Sequence, residues 1–155
     1  MKITLLSIFL IMQIFFFSHA EELTENEKIS TASEILNKID QGVTSNNDFY
    51  DIYINSSDRI TTTISEDKFS YSIHKSRGIL GEKLKRKYLS HNIVSSDNSY
   101  QELISVNFFT SFKNDKSGYK ETLTLERNSG SNDKWIMAGY YITKQSIGKL
   151  HIKDQ

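Results

Sequence analysis

The spacing of apolar residues changes near Gly81, and this change constrains the fold more than any other feature of the chain. Before it, apolar side chains recur every three or four positions, as they do on one stripe of an α-helix. After it, β-branched and aromatic residues occupy alternate positions, as in strands that bury one face. Helices followed by strands predict an α+β fold, with the helices packed on one face of an antiparallel sheet.

The first predicted helix runs from Thr24 to about Gln41. Thr24 followed by Glu27 has the pattern of a capping box, and Gly42 suits a left-handed stop after the last turn. Its apolar stripe consists of Ile29, Ala32, Leu36 and Ile39.

Two more helices are predicted before the period changes. One of two or three turns covers the aromatic segment 49–53. The other is capped by Ser65, carries Phe69 and Ile73 on one face, and ends near residues 77–78, where glycine suits a helix exit.

Four strands follow, joined by short polar loops, so the sequence predicts an antiparallel meander. On the second strand Ile104, Val106, Phe108 and Phe112 share a side, as Leu123 and Leu125 do on the third. The last residues are polar and weakly alternating, so we expect a tail that frays. The predicted strands cover residues 83–92, 100–112, 119–127 and 134–144, and the tail covers 145–155.

The first twenty residues have the pattern of a secretory signal peptide. Lys2 precedes an apolar run from Ile3 to Phe17, and Ser18-His19-Ala20 ends it with small residues where signal peptidase requires them. We therefore expect export, a mature chain from about Glu21, and a periplasmic location. The apolar run is shorter than the roughly 20 residues that span a bilayer, so we expect no membrane span after the signal is removed.

The remaining residues, 21–155, form one domain of ordinary size with a core at about 24–144. Loss of Lys2 leaves 18 basic and 19 acidic side chains, a balance that argues against nucleic acid as a partner. Because the chain has no cysteine, it has no disulfides, thiolate metal sites or cysteine nucleophile.

The sequence lacks the common catalytic motifs. His74, His91 and His151 fall on separate elements without metal-ligand spacing, so no metal is expected. There is no Gly-x-Ser-x-Gly elbow, and residues 78–81 lack the lysine and hydroxyl of a phosphate loop. We therefore expect no cofactor.

Strand parity predicts a buried ion pair. If Leu84 and Tyr88 face the helices, Arg86 between them faces inward, and the same argument turns Glu121 inward. Inward charges need partners, so we predict a charge-assisted bond between Glu121 and either Arg86 or Arg77.

This pair has two interpretations. It is either a structural contact that fixes register, or part of a pocket mouth at which the arginines hold an anionic ligand. The ligand-binding candidates are Arg77, Arg86, Glu121 and Tyr141.

Two further strands have predicted positions in the sheet. Lys83, Lys85 and Lys87 are expected to point away from the helices. With Arg86 they form a local basic stripe, which is either a solvated edge strand or a contact for phosphate or an acidic partner. Apolar residues occupy both sides of the last strand, which carries the aromatic residues Trp135, Tyr140 and Tyr141. It is therefore expected to be central, with its aromatic residues mostly in the core. Gly139 predicts a bulge or a close backbone approach.

Four segments together resemble a family of exported bacterial proteins known only as domain-of-unknown-function family 4019. The resemblance depends on the spacing of Arg77, Gly81 and Arg86, on Glu121, and on Trp135-x-x-x-Gly139-Tyr140. The segments are RGILGEKLKR (77–86), TSF (110–112), ETLTLER (121–127) and KWIMAGYYI (134–142).

The resemblance covers about residues 30–144. It implies a signal peptide and a helix-plus-meander fold similar to cystatin-like or nuclear-transport-factor-like cones, and it brings no established activity. Phe69 stands where tryptophan is common in the family, and residues 95–98 stand where a proline-containing turn is common. These departures concern loop geometry more than the fold.

The leading hypothesis is a small exported binding or interaction module without catalytic chemistry, whose partner is an unknown small ligand or an envelope protein. One alternative is a cone-shaped enzyme in which Glu121 acts as general base; another is a structural envelope component. An open pocket at Glu121 would favour the enzyme, and a closed Arg–Glu pair under aromatic residues would favour the module.

Overall fold

A computed structural model describes residues 5–45, 49–95, 101–128 and 134–145. Within these ranges helices precede strands, which confirms the predicted α+β class. The elements are α1 (Leu5–Ser45), α2 (Tyr50–Ile54), α3 (Asp58–Thr61), α4 (Glu66–Arg77), a 3-10 turn (Gly78–Leu80), β1 (Lys83–Ser95), β2 (Gln101–Phe112), β3 (Tyr119–Asn128) and β4 (Trp135–Lys144).

Helix α1 is longer than predicted at both ends. It passes through Thr24 without a start, so the predicted capping box is wrong for the full chain; no proline or glycine interrupts the residues before it. It also continues past Gly42, where the predicted stop is wrong. A Cβ on Gly42 would lie 2.3 Å from Cε1 of Phe49, so this glycine admits a ring against the helix. Among the described helices, none is both long and apolar enough to cross a membrane.

The middle helices differ from the prediction in their division. The segment predicted as one helix of two or three turns is the single-turn helix α2, and the short helix α3 follows it. Ser57 caps α3, because its side chain accepts the backbone N–H of Arg59. Helix α4 begins after Ser65 and ends at Arg77 as predicted, but the Ser65 side chain makes no capping hydrogen bond. Gly78 keeps helical angles and enters the 3-10 turn, whereas Gly81 takes the left-handed φ of 73°.

The four strands form one antiparallel sheet in the order β1-β2-β3-β4, which confirms the predicted meander. The predicted inward residues of β2 and β3 are all buried, and most of them pack against the stripe of α1 and against α4. They are Ile104, Val106, Phe108, Phe112, Leu123 and Leu125.

Strand β4 is an edge strand, so its predicted central position is wrong. A bulge explains the error: Thr124 pairs with Gly139 and Leu125 with Met137, which leaves Ala138 without a partner. The extra residue changes the strand's phase, so inward residues fall on odd positions before it and even positions after it. The predicted bulge at Gly139 is confirmed. Trp135 is in the core as expected, whereas Tyr141 is 65% exposed.

Strand β1 is the other edge, as predicted, with Lys85 and Lys87 exposed. Its pairing with β2 shifts between Lys83 and Lys85, leaving Leu84 outside the ladder. Leu84 is therefore exposed and does not face the helices, and Lys83 lies on the inner side, contrary to the prediction. Arg86 keeps its predicted inward position because it follows the bulge.

Some predictions fall on residues outside the described ranges. These are the tail from residue 146 onward, the loop 129–133, and residues 96–98 of the segment that departs from the family pattern.

Candidate functional site

Four charged side chains meet between the helices and the inner face of the sheet. We call Asp40, Arg77, Arg86 and Glu121 the charge cluster. Asp40 lies on helix α1, and Arg77 is the last residue of α4. Arg86 lies on strand β1 and Glu121 on strand β3. The cluster therefore joins both layers of the fold.

Arg86 binds both acids of the charge cluster. Its Nε and Nη2 donate to Oε2 of Glu121 at 3.0 and 2.8 Å, and its Nη1 donates to Oδ2 of Asp40 at 2.8 Å. Its Nη2 also donates to Oδ1 of Asp40 at 3.1 Å. The predicted bond between Arg86 and Glu121 is thus present, with both nitrogens on one oxygen. The forked geometry, with two nitrogens on two oxygens, is the one that Arg86 makes with Asp40.

Arg77 is 1% exposed and lies over an aromatic ring. Its Cζ is 4.0 Å from the centroid of Phe112, within range of a cation–π contact. Its Nη2 donates to Oδ1 of Asp40, and its Nε is 3.3 Å from Oε1 of Glu121. Among the described residues, Nε and Nη1 have no hydrogen-bond acceptor. The Coulomb attraction of two carboxylates therefore holds this guanidinium.

Glu121 is fully buried and its oxygens are occupied. Oε2 accepts the hydroxyl of Thr110 as well as Arg86, and Oε1 accepts the hydroxyl of Tyr140 at 2.8 Å. Two acids face two arginines, and Lys83 approaches from the rim with its Nζ 3.3 Å from Oδ2 of Asp40. Glu121 is 0% exposed, so this arrangement closes its carboxylate to solvent.

Burial and charge shift the pKa values of two groups around Glu121. Burial lowers the pKa of Arg86, but the carboxylates of Glu121 and Asp40 raise it by more, so the net shift is upward. Burial, followed by the negative charge of Glu121, raises the pKa of Tyr140 well above its ordinary value of 10.0. Both shifts favour the protonated side chains that the cluster uses as donors.

The shift at Tyr140 predicts a loss of stability at alkaline pH. Above pH 10 an unfolded tyrosine ionises while the folded one keeps its proton, so the free energy of unfolding falls as pH rises. Tyr140→Phe removes this contribution. Above pH 10 we expect the free energy of unfolding of this variant to fall less steeply than that of the wild type, by about 1.4 kcal/mol per pH unit. Urea denaturation across this range measures the slope. The exposed Tyr71→Phe is the control; equal slopes for both variants would contradict the buried position of Tyr140.

Three of the four predicted site residues are in the charge cluster: Arg77, Arg86 and Glu121. Tyr141 lies apart, on the rim of an apolar groove described below. The sequence interpretation missed Asp40 and Tyr140. Asp40 lies four residues after Leu36 of the buried stripe, and a carboxylate in that register was the available signal.

A second buried acid was also missed. Glu126 on β3 accepts the hydroxyl of Ser57 at 2.7 Å and Nε of Arg59 at 3.0 Å. The N–H of Ser57 donates to the carbonyl of Met137 at 2.8 Å. These bonds attach α3 to β3 and β4, so Glu126 has a structural role.

The described residues contain no group of three or more histidine, acidic or cysteine side chains placed to hold a metal ion. His91 contacts two neighbouring side chains: its Nδ1 is 2.8 Å from the hydroxyl of Tyr88 and 3.6 Å from Oε1 of Glu25.

Two open grooves flank the edge strand β4. The larger, of about 640 Å³, has walls of mixed charge that include Glu27, Glu34, Lys38 and Lys134. The smaller, of about 350 Å³, lies between the helices α3 and α4 and the strand, and we call it the β4 groove. Its walls are mainly apolar, formed by Ile60, Ile64, Phe69, Ser72, Ile73, Ser76, Met137, Gly139, Tyr140, Tyr141 and Ile142.

The fold and this site define a small α+β protein whose helices are joined to a four-stranded meander through a closed cluster of buried charges. The sequence of residues 31–140 matches the family described as Protein of unknown function (DUF4019), and the chain belongs to that family. This confirms the resemblance found in the sequence. No curated protein and no solved structure matches the chain, so the likeness to cystatin-like cones stays a prediction.

Proposed function

We propose that this protein is an exported, non-catalytic binding module that holds an apolar ligand in the β4 groove. One contrast supports this proposal: the acids and arginines of the charge cluster pair with one another, whereas the apolar walls of the β4 groove are open. A concave apolar surface with a few polar groups is the usual form of a small-molecule site.

The leader pattern of residues 1–20 supports export, because a short apolar run ending in small residues is what signal peptidase requires. The expected mature amino terminus is Glu21. Export would bring the β4 groove into the periplasm, where apolar and amphiphilic molecules are available to it.

The side chains of the β4 groove support an apolar ligand. Tyr140 directs its hydroxyl to Glu121, so its polar atom is already satisfied and its ring contributes apolar wall. Tyr141 is exposed at the rim and offers a second ring, the role predicted for it as a ligand-binding residue. No charged side chain lies among the groove residues, so the ligand's apolar part carries the affinity.

The same geometry disfavours two other functions. A general base at Glu121 needs access to substrate, but its carboxylate is 0% exposed and bound by Arg86, Thr110 and Tyr140. Anion capture needs free guanidinium groups, but both arginines are already paired with acids.

The test uses the protein recovered from the periplasm and a fluorescent long-chain fatty acid as the probe. Mass spectrometry should give an amino terminus at Glu21. Ser72→Trp fills the groove from an exposed position on α4, so we expect it to weaken probe binding by about tenfold, a loss of roughly 1.4 kcal/mol. Tyr71→Trp, on the same helix but outside the groove, is the matched control and should bind like the wild type.

The two parts of the proposal fail separately. A chain retained in the cytoplasm with its first twenty residues would contradict export and leave the groove untested by that result alone. Equal binding by wild type and Ser72→Trp, or no binding of the probe by the wild type, would contradict the apolar site.

A further inference from the structure

Strand β1 carries three residues that stand outside its ladder with β2. The pairing shifts between Lys83 and Lys85, between Tyr88 and Ser90, and between Ile93 and Ser95. The three residues left out are five positions apart, and we call them the β1 ridge: Leu84, Leu89 and Val94.

All members of the β1 ridge are apolar and exposed, at 56%, 47% and 56% of their surface. Ile93, next to Val94, is 67% exposed. Edge strands usually carry charged residues at such positions, because exposed apolar edges promote aggregation. A row of apolar side chains at every bulge therefore indicates a surface that is covered in use.

Positive charge accompanies the β1 ridge. Lys85 and Lys87 are exposed between Leu84 and Leu89. Of the nearby acids, Glu82 lies 3.8 Å from Lys113, and Glu25 lies 3.6 Å from the His91 ring, which pairs with it only when protonated. The exposed edge thus combines apolar side chains with lysines, the pattern that anionic lipid surfaces attract.

We propose that the β1 edge docks on an anionic lipid surface, with Lys85 and Lys87 at the phosphates and the β1 ridge between the headgroups. This inference concerns the strand opposite the β4 groove and does not depend on the proposed ligand.

The bulges favour lipid over a protein strand. A second copy of the chain, or a partner strand, would add to β1 through a continuous row of backbone hydrogen bonds, and three bulges interrupt that row. A fluid surface needs no fixed register, so it can accommodate side chains that project at intervals along a twisted strand.

The test is co-sedimentation of the exported protein with lipid vesicles. Mass spectrometry first establishes the amino terminus of the protein. One set of vesicles contains phosphatidylcholine alone and the other an equal mixture with phosphatidylglycerol. We expect binding to the anionic vesicles only, reversed by high salt. Lys85→Gln/Lys87→Gln should lower the partition coefficient about tenfold or more, and Leu84→Ser/Leu89→Ser should lower it by a similar factor.

Lys68→Gln/Lys75→Gln removes the same charge from the exposed face of α4 and should bind like the wild type. Urea midpoints of all variants should match, since the altered side chains are exposed. Equal binding to both vesicle sets, or ridge variants that bind like the wild type, would overturn the proposal. So would sedimentation analysis showing a dimer that the ridge variants dissociate, which would make this edge an interface between copies.

Discussion

Glu121→Leu is expected to lower the free energy of unfolding by about 3–5 kcal/mol, the cost of removing one partner from a buried ion pair. The carboxylate is 0% exposed and lies within 3.3 Å of both arginines. Among the described residues, its loss leaves Arg77 and Arg86 with the partly buried Asp40 as their carboxylate partner. It also removes the acceptor of the Tyr140 hydroxyl, which then stays buried without a partner.

Urea denaturation of the variant measures this loss, and Glu34→Leu is the matched control. Glu34 pairs with Lys38 one turn along α1 at 3.1 Å, but its side chain is 68% exposed. An exposed pair of this kind contributes about 0.5 kcal/mol or less. A loss at Glu121 no larger than that of the control would mean that the charge cluster is open to water in solution.

The order of elements could be predicted because it depends on periodicity. The stripe of α1 and the alternation of β2 and β3 are both regular, and Leu36, Val106 and Leu123 are fully buried as expected. The ends of α1 could not be predicted from local signals. Gly42 has the pattern of a helix stop, but the helix continues through it, and the ring of Phe49 packs where a side chain at position 42 would lie.

The bulges limited what parity could predict about the site. Glu121 lies in a regular ladder, and the bulge at Leu84 leaves Arg86 in its predicted phase, so parity places both correctly. Leu84 is itself an extra residue that the sequence does not mark, so parity fails there, and the extra residue in β4 changes the phase of the strand before Tyr141. Asp40 was missed for another reason: its partners Arg77 and Arg86 lie 37 and 46 residues away, on α4 and β1, and only the tertiary structure brings them together.

The closed charge cluster raises the question of whether its charges stabilise the fold or only balance one another. Burying four charges costs solvation energy, and a well-packed apolar replacement of a whole pair is often neutral. A single substitution cannot separate these contributions, because it creates an unpaired charge. A double substitution that removes one charge of each sign can.

We expect Arg77→Met/Glu121→Leu to be more stable than the sum of its single losses predicts, by about 2 kcal/mol. The double variant keeps Arg86 opposite Asp40, so the buried charge stays balanced. A methionine at position 77 also keeps apolar contact with Phe112, whose ring lies beneath the guanidinium. Each single variant, by contrast, leaves the cluster with an excess charge.

The measurement is a double-mutant cycle from urea denaturation of the four proteins. The control cycle uses Arg59→Met and Glu126→Leu, whose atoms are 3.0 Å apart although the Arg59 side chain is 54% exposed. Solvent screening should keep its coupling below about 1 kcal/mol. If the stability losses of Arg77→Met and Glu121→Leu sum to the loss of the double variant within about 0.5 kcal/mol, the two charges act independently. Charge balance would then not be what holds the helices to the sheet.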